Sequence, residues 1–339
     1  MPLTDRYARP LASLRVSVTD RCNLRCHYCM PEPDYVWLPR DHVLHFEEIT
    51  RLVRLFAQLG VRRVRLTGGE PLLRRQLPVL IRQLRDIPGI DDLALTTNGV
   101  LLAPMADALR EAGLGRITVS LDTLDPARFR ALTRFDELPR VREGLAAAAR
   151  VFPGFKIDTV ALRGVNDDEI DALVIEADRL GAELRFIEYM DVGGATRWSM
   201  DQVLTRAELL ARLKRRFGAL TPLEDDGWAP ADRYRLAHGQ VIGVISSTTQ
   251  PFCATCDRSR LTADGQWFLC LYAQTGHDLR ALLRGGAGDE EVMDAIRSAW
   301  RARDDRGAED RLALGDRRAF VPITTLRRNP HLEMHTRGG

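Results

Sequence analysis

From residue 14 onward, short runs rich in β-branched residues alternate with stretches whose apolar residues recur at helical spacing. The runs LRVSVTD, VRRVRLTGGE, DDLALTTNG, GRITVSLD, KIDTVALRG and AELRFIEYM predict six strands. Between them, segments such as FEEITRLVRLFAQLG and PMADALREAG read as amphipathic helices, often closed by glycine. Repeated βα units predict parallel strands with right-handed crossovers, in a doubly wound sheet or a complete or partial barrel. The placement of unusual residues favours a barrel: Cys22 follows the first strand, Gly68-Gly69-Glu70 the second and Thr96 to Gly99 the third. Loops at strand C-terminal ends converge on one face of such a barrel. After about residue 217 the rhythm changes to short runs and turn signals, including EDDGWAPADRY, VIGVISST and TADGQWFLCLY, with a helical pattern from near His277. The predicted division is a first domain over 1–217 and a smaller one over 218–339. DDRGAEDR at 304–311 reads as a solvated loop, and the closing MHTRGG as a flexible tail.

Composition narrows the class. The 339 residues are 45% hydrophobic and 28% charged, which excludes wholesale disorder and a fibrous fold. Forty-nine basic against forty-seven acidic residues leave a net charge of only +2. No whole-chain field then draws nucleic acid or anionic lipid, and any anion site must be local. The opening MPLTDRYARPLASLRVSV lacks the apolar core of a secretory signal. No run approaches the roughly 18 apolar residues of a membrane span. The expectation is a cytoplasmic protein without a membrane or nucleic-acid partner. In a reducing compartment the six cysteines are thiols, catalytic groups or metal ligands, not disulfides.

Cys22, Cys26 and Cys29 form C-x3-C-x2-C after the first strand, close enough for three thiolates to face one centre. Structural zinc would take a fourth ligand such as His27. A [4Fe–4S] cluster held by three thiolates would instead leave one iron open to a substrate or cofactor. Cys253, Cys256 and Cys270 form a second trio, with two residues and then thirteen between them. Alone it would also fit a zinc ribbon short of one ligand. Together the six cysteines divide three and three with none left over, a division that core packing gives no reason for.

C-x3-C-x2-C with Tyr28 before its third cysteine, and GGEP at the end of the second strand, resemble the radical S-adenosylmethionine (radical SAM) superfamily. FCATCDRSRLTADGQWFLC, with TGGEPLLR, TTNG, VSLD, RFIEYM and a terminal Gly-Gly, resembles within it the GTP 3′,8-cyclases, the MoaA-type proteins of molybdenum cofactor biosynthesis, over nearly the entire chain. The resemblance implies an α/β fold: a partial (βα)6 TIM-like barrel with a smaller C-terminal α+β domain closing the barrel mouth. It implies that Cys22, Cys26 and Cys29 hold one [4Fe–4S] cluster, whose open iron binds S-adenosyl-L-methionine. Tyr28, Gly69, Glu70, Ser120 and Met190 would contact that cofactor. Glu70 would face its ammonium, and Gly68-Gly69 would let it approach closely. Cys253, Cys256 and Cys270 would hold a second [4Fe–4S] cluster facing the guanine of GTP.

Arg15, Arg65, Thr96, Lys156, Arg185, Arg258, Ser259 and Arg260 are the GTP contacts the resemblance implies. Lys156 is the more informative of these, because only Lys156 and Lys214 occur as lysines. Arg258, Arg260, Gly338 and Gly339 are implied in catalysis. The implied partners are a flavodoxin- or ferredoxin-type reductant, a downstream cyclic pyranopterin monophosphate synthase and a second copy of the chain in a homodimer. The tail departs from the family's Met-Ser-x-Ile-Gly-Gly, since Met334-His335-Thr336-Arg337-Gly338-Gly339 puts Arg337 at an apolar position. Three other readings compete: a radical SAM peptide-modifying enzyme with an auxiliary cluster, a non-catalytic zinc-binding protein, and an electron carrier. The first typically carries more cysteines in its extension than the three here.

Overall fold

The computed structural model describes residues 3–224, 229–315 and 317–338. The six expected strands are present: β1 (Ser13–Ser17), β2 (Arg63–Thr67), β3 (Asp92–Thr97), β4 (Arg116–Ser120), β5 (Lys156–Ala161) and β6 (Glu183–Glu188). They lie side by side in chain order and run parallel. The crossovers carry α1 (Phe46–Gln58), α2 (Leu77–Arg85), α3 (Ala106–Glu111), α4 (Pro126–Thr133), α5 (Leu138–Val151) and α6 (Ile170–Arg179).

Alternation along each strand sorts core from cavity. In β2, Val64 and Leu66 are buried in the core, whereas Arg63 and Arg65 line a cavity. In β5, Ile157 and Thr159 are buried, and Lys156 and Asp158 face that same cavity. On α1 the period becomes helical, burying Ile49, Leu52, Val53 and Phe56. The Glu48 carboxylate closes its first turn by accepting the His45 N–H at 2.7 Å.

Beyond β6, α7 (Arg206–Phe217) starts at a Thr205–Glu208 capping box. The last third then adds β7 (Leu220–Leu223), β8 (Asp232–Leu236), β9 (Val241–Ile245), β10 (Arg258–Leu261), β11 (Gln266–Phe268) and β12 (His277–Asp278). The sheet order is β12-β11-β10-β1-β2-β3-β4-β5-β6-β9-β8-β7. β10 runs parallel to β1 and β9 parallel to β6, so the last third extends both edges of the sheet. The change of rhythm near residue 217 thus marks a switch from βα units to antiparallel hairpins that share the first sheet. Part of the turn signal EDDGWAPADRY, residues 225–228, lies outside the described residues.

Among the described residues, α8 (Leu279–Arg284), the 14-residue α9 (Asp289–Ala302) and the short α10 (Gly307–Leu312), α11 (Ile323–Arg328) and α12 (Met334–Arg337) follow. Trp300 of α9 stacks on Trp267 of β11 with ring centres 6.4 Å apart, and Trp267 meets Phe56 of α1 at 5.3 Å. The final third therefore shares the core of the first.

Two sequence expectations are corrected. The run at 304–311 is a solvated loop only through residue 306: from Gly307, which lies against Tyr272, it forms α10, a helix that buries no side chain. The tail is not flexible either, since α12 buries His335, Thr336 and Arg337. Arg337 occupies an apolar position because its guanidinium lies 4.0 Å over the Phe268 ring and donates to His331 O and Leu271 O, both at 2.7 Å.

A buried ion cluster ties the N-terminal segment to the last third. Asp5 accepts from Arg9 Nε at 2.6 Å and from Arg303 Nη1 at 3.2 Å, and all three side chains are almost wholly buried. The same guanidiniums donate to Cys253 O at 2.8 Å and Cys256 O at 2.9 Å. Replacing Asp5 by Asn leaves two buried cations without their counter-ion, and should cost about 3–5 kcal/mol of stability. Urea unfolding under anaerobic conditions measures this; an unchanged midpoint would contradict it.

Candidate active site

The concave side of the sheet holds a cavity of about 320 Å³. Arg15, Arg65, Thr96, Lys156, Arg185, Arg258 and Arg260 line it together with Met190, Cys253, Cys256 and Cys270. Among the expected nucleotide contacts only Ser259 faces elsewhere. The register pairs Arg260 with Arg15 and Ser259 with Leu14, so the Ser259 side chain shares the fully buried face of Leu14. Sequence reasoning missed Arg63, Arg116, Asp92 and Asp158, which also line the cavity. Strand alternation from Arg65 and Lys156 was the signal for Arg63 and Asp158.

The cavity is crowded with cations. Burial, then Arg260, Arg258 and Arg65, depresses Arg15 well below the ordinary guanidinium range. Arg65 and Arg260 are each pushed down to about 10, chiefly by burial. Lys156 falls to about 8 through burial first and Arg185 second. Arg65 is aimed by the Thr96 and Thr118 hydroxyls, at 3.0 and 3.1 Å. The carboxylates nearby are mostly engaged: Asp92 with Arg116 at 2.7 Å, Glu183 with Arg185 at 2.7 Å, and Asp257 with Arg63. An excess of forked donors remains, which is what a polyphosphate requires.

The second cysteine trio borders this cavity. Cys253 receives backbone N–H groups from Ala308 and Glu309 at the start of α10. Burial alone would raise the Cys256 thiol, but Arg258 and Arg303 outweigh it and bring it down to about 7. Cys270 accepts the Tyr272 N–H at 3.4 Å. Such donors favour sulfur as thiolate, the form that binds metal, although burial outweighs them at Cys253 and Cys270 and raises both thiols.

The first trio sits in the loop after β1. Burial raises all three thiols, and each of Cys26 and Cys29 is raised further by Cys22, which places the sulfurs within one electrostatic neighbourhood. The end of β2 clamps this loop: Gly69 N–H donates to Thr19 O at 2.9 Å and Glu70 N–H to Arg21 O at 2.8 Å. A Cβ at Gly69 would run into the Arg21 carbonyl, so the glycine permits backbone-on-backbone packing where the sequence suggested room for a ligand. Glu70 accepts from Leu72 N, Thr97 Oγ1 and Asn98 N at 3.0, 2.7 and 2.7 Å, and burial pushes its carboxyl up to about 7. Three of roughly four acceptor positions are thus engaged by the protein, joining the ends of β2 and β3. Tyr28 donates its hydroxyl to Asp122 Oδ2 at 2.7 Å, a partner within VSLD that the sequence reading did not single out. Ser120 ends β4, opposite Asp158 of β5.

The tail reaches both trios. The His335 N–H points at the Cys29 sulfur. The Gly338 carbonyl accepts from Arg15 at 3.1 Å and Arg260 at 2.9 Å. Gly338 has φ 66°, and a Cβ on it would collide with Thr67 of β2. Gly339 lies outside the described residues.

Among the described residues, no three His, Cys, Asp or Glu side chains stand close enough to hold a single metal ion. One zinc needs all its sulfurs at about 2.3 Å. Thiolates spread over separate irons of a cluster need no such convergence, and three of them leave an iron free. The donor sets fit iron–sulfur clusters.

The Radical SAM superfamily pattern matches residues 16–177, and that of Molybdenum Cofactor Synthesis C matches residues 182–309. GTP 3′,8-cyclase 3 of Mycobacterium bovis is 52% identical over 343 residues, covering 100% of this chain and 91% of that protein. The chain belongs to the GTP 3′,8-cyclase family. GTP 3′,8-cyclase 1 of Mycobacterium tuberculosis is 52% identical over 340 residues, with 99% and 95% of the two chains covered. The Acidothermus cellulolyticus GTP 3′,8-cyclase is 48% identical over 321 residues, covering 91% and 88%. Among solved structures, Streptococcus suis SuiB bound to S-adenosylmethionine aligns with a TM-score of 0.59 at 17% identity, over 91% of this chain and 71% of that one. That likeness is one of fold, and it matches the expected partial barrel. Membership of the GTP 3′,8-cyclase family sets aside the zinc-binding and electron-carrier readings.

Substituting Gly338→Ala, or deleting Gly338 and Gly339, should expel the tail from the barrel. Turnover is expected to vanish while iron content and cluster absorbance stay at wild-type levels. Unchanged activity in the truncated protein would refute this.

Proposed function

We propose that the protein converts GTP to (8S)-3′,8-cyclo-7,8-dihydroguanosine 5′-triphosphate, the first step of molybdopterin cofactor biosynthesis. One observation carries the reading: cations from β1, β2, β5, β6 and β10 converge in a cavity bordered by Cys253, Cys256 and Cys270. A triphosphate answers the cations, and the second cysteine trio offers a metal site for a purine base beside them.

Residues 1–217 form the half that generates the radical, and residues 218–339 the half that presents the nucleotide. Cys22, Cys26 and Cys29 hold one [4Fe–4S] cluster, and Cys253, Cys256 and Cys270 a second. Tyr28, Gly69, Glu70, Ser120 and Met190 surround S-adenosylmethionine. When bound, that cofactor and the first cluster supply a 5′-deoxyadenosyl radical, which takes hydrogen from C3′ of GTP before C3′ joins C8.

The chain's own residues bind, orient and exclude water. Arg15, Arg65, Lys156, Arg185, Arg258 and Arg260 grip the triphosphate, and their mutual repulsion is relieved as it enters. Gly338, held by Arg15 and Arg260, closes the cavity from the tail side. Arg258 and Arg260 are the cations we assign to the chemistry, one of them giving a proton to the reduced product. Electrons come from a flavodoxin- or ferredoxin-type protein, and the product passes to a cyclic pyranopterin monophosphate synthase. Among the described residues no helix is long and apolar enough to cross a membrane. We place the enzyme in the cytoplasm as a homodimer, where a reducing environment protects its thiolates.

Anaerobically reconstituted, reduced protein should form 5′-deoxyadenosine strongly with GTP, and weakly with ATP or no nucleotide. Equal formation in all three would reject GTP, and none from iron-loaded protein would reject radical chemistry. Lys156 also sets a pH dependence. Its pKa of about 8 means that the cationic, phosphate-binding form is lost as pH rises through that value. GTP affinity should fall about 10-fold between about pH 7 and about pH 9, and Lys156→Arg should flatten that fall. Equilibrium binding across this range decides the point, and a fall retained in Lys156→Arg would assign it elsewhere.

A further inference from the structure

Among the described residues, three aspartates line the cavity: Asp92, Asp158 and Asp257. Asp92 is engaged by Arg116 and Asp257 by Arg63. Asp158 accepts no hydrogen bond from any described residue: its Oδ1 is buried without a partner, while the half-buried side chain lines the cavity, so it is Oδ2 that a ligand can reach. It stands on β5 two residues after Lys156, opposite Ser120 of β4 and Arg185 of β6. Arg185, Arg65, Arg15 and Lys156 surround it.

A free carboxylate in a triphosphate site calls for an account, because it repels the ligand that the cations attract. It must face a part of the nucleotide that carries O–H or N–H donors. Asp158 also acts electrostatically on Asp122, which holds the Tyr28 hydroxyl next to Cys26 and Cys29. It therefore lies between the phosphate-binding cations and the N-terminal cysteine loop. With phosphates on the arginines and the base toward Cys253, Cys256 and Cys270, this intermediate position belongs to the sugar.

We propose that Asp158 accepts a hydrogen bond from the ribose 3′-hydroxyl and thereby activates the adjacent C3′–H bond for hydrogen-atom transfer. The inference deepens the GTP 3′,8-cyclase reading and rests on it. In the step, the C3′–H bond breaks homolytically, and the hydrogen atom with its one electron forms a new bond to the 5′-carbon of the deoxyadenosyl radical. The hydroxyl proton stays shared between O3′ and Asp158, so charge is conserved and no further oxidant or reductant enters. Drawing the proton toward a carboxylate enriches O3′ in electron density, which stabilises the carbon-centred radical forming beside it. Fixing the hydroxyl also fixes the direction of the C–H bond, a positional gain. Strand β5 is suited to this task because its backbone is held on both sides, by β4 and β6.

The test uses the full chain with both clusters reconstituted, as wild type, Asp158→Asn and Asp158→Ala, with iron content confirming assembly. In equilibrium binding without reductant, wild type should favour GTP over 3′-deoxy-GTP by about 10-fold; Asp158→Ala, which has no acceptor, should bind the two nucleotides alike, and Asp158→Asn, whose amide oxygen still accepts but carries no charge, should fall between them. Affinity for GTP itself should stay within about 3-fold, since losing the carboxylate also removes its repulsion of the phosphates. With reductant, GTP-dependent 5′-deoxyadenosine formation should fall about 10- to 100-fold in Asp158→Asn, and deuterium at C3′ should slow the variant more than wild type. Discrimination against 3′-deoxy-GTP that survives undiminished in Asp158→Ala, or a wild-type rate in Asp158→Asn, would overturn the inference. Failure of the underlying reading looks different: wild type itself would then show no GTP-dependent 5′-deoxyadenosine.

Discussion

Like charges do not gather in a protein interior unless something rigid holds them there. Here Arg15, Arg65, Lys156, Arg185, Arg258 and Arg260 share one cavity, and burial together with mutual repulsion lowers several of their pKa values. The sheet makes this tolerable: each cation sits on a strand whose neighbours fix the backbone, and the alternate residues anchor in a continuous apolar core. Energy invested in packing behind the sheet keeps the arginines from dispersing. A polyanion arriving in the cavity recovers part of that electrostatic cost.

The same constraint explains why both chain ends converge on the site. Asp5 neutralises Arg9 and Arg303 behind the second cysteine trio, and the Gly338 carbonyl takes two of the cavity's guanidiniums from within. Arg337 adds one more buried cation and meets it with two carbonyls and an aromatic face. The result is a cavity whose walls come from strands far apart in sequence and two of whose guanidiniums are held by the tail.

What the sequence disclosed depended on whether the signal was local. The six βα strands and both cysteine trios could be read because periodicity and short spacings encode them, whereas the seven cavity-facing residues came only from the resemblance to the GTP 3′,8-cyclases. The last third could not be placed, since β10 joins β1 and β9 joins β6 through pairings that no local pattern announces. The resemblance ties Gly69 and Glu70 to the cofactor, but it did not disclose their protein partners Arg21, Leu72, Thr97 and Asn98, contacts visible only once the opposing loops are in place. α10 escaped notice because a six-residue helix with no buried side chain has no apolar period, although its first N–H groups face Cys253. Asp158 was legible through its two-residue offset from Lys156, yet nothing local showed that it would lack a partner.

The sheet topology also bears on how such a chain can be made. A ribosome delivers β1 through β6 first, and at that moment both flanks of the nascent sheet present bare N–H and C=O groups. The strands that cover them, β9 and β10, emerge later, and β10 must travel back to β1 across the whole first half of the molecule. Unsheathed flanks recruit other strands, including those of neighbouring nascent chains, and long-range pairing closes slowly. Fast synthesis at high copy number would therefore favour tangled, insoluble product, and slower production in the cold would give β9 and β10 time to arrive first.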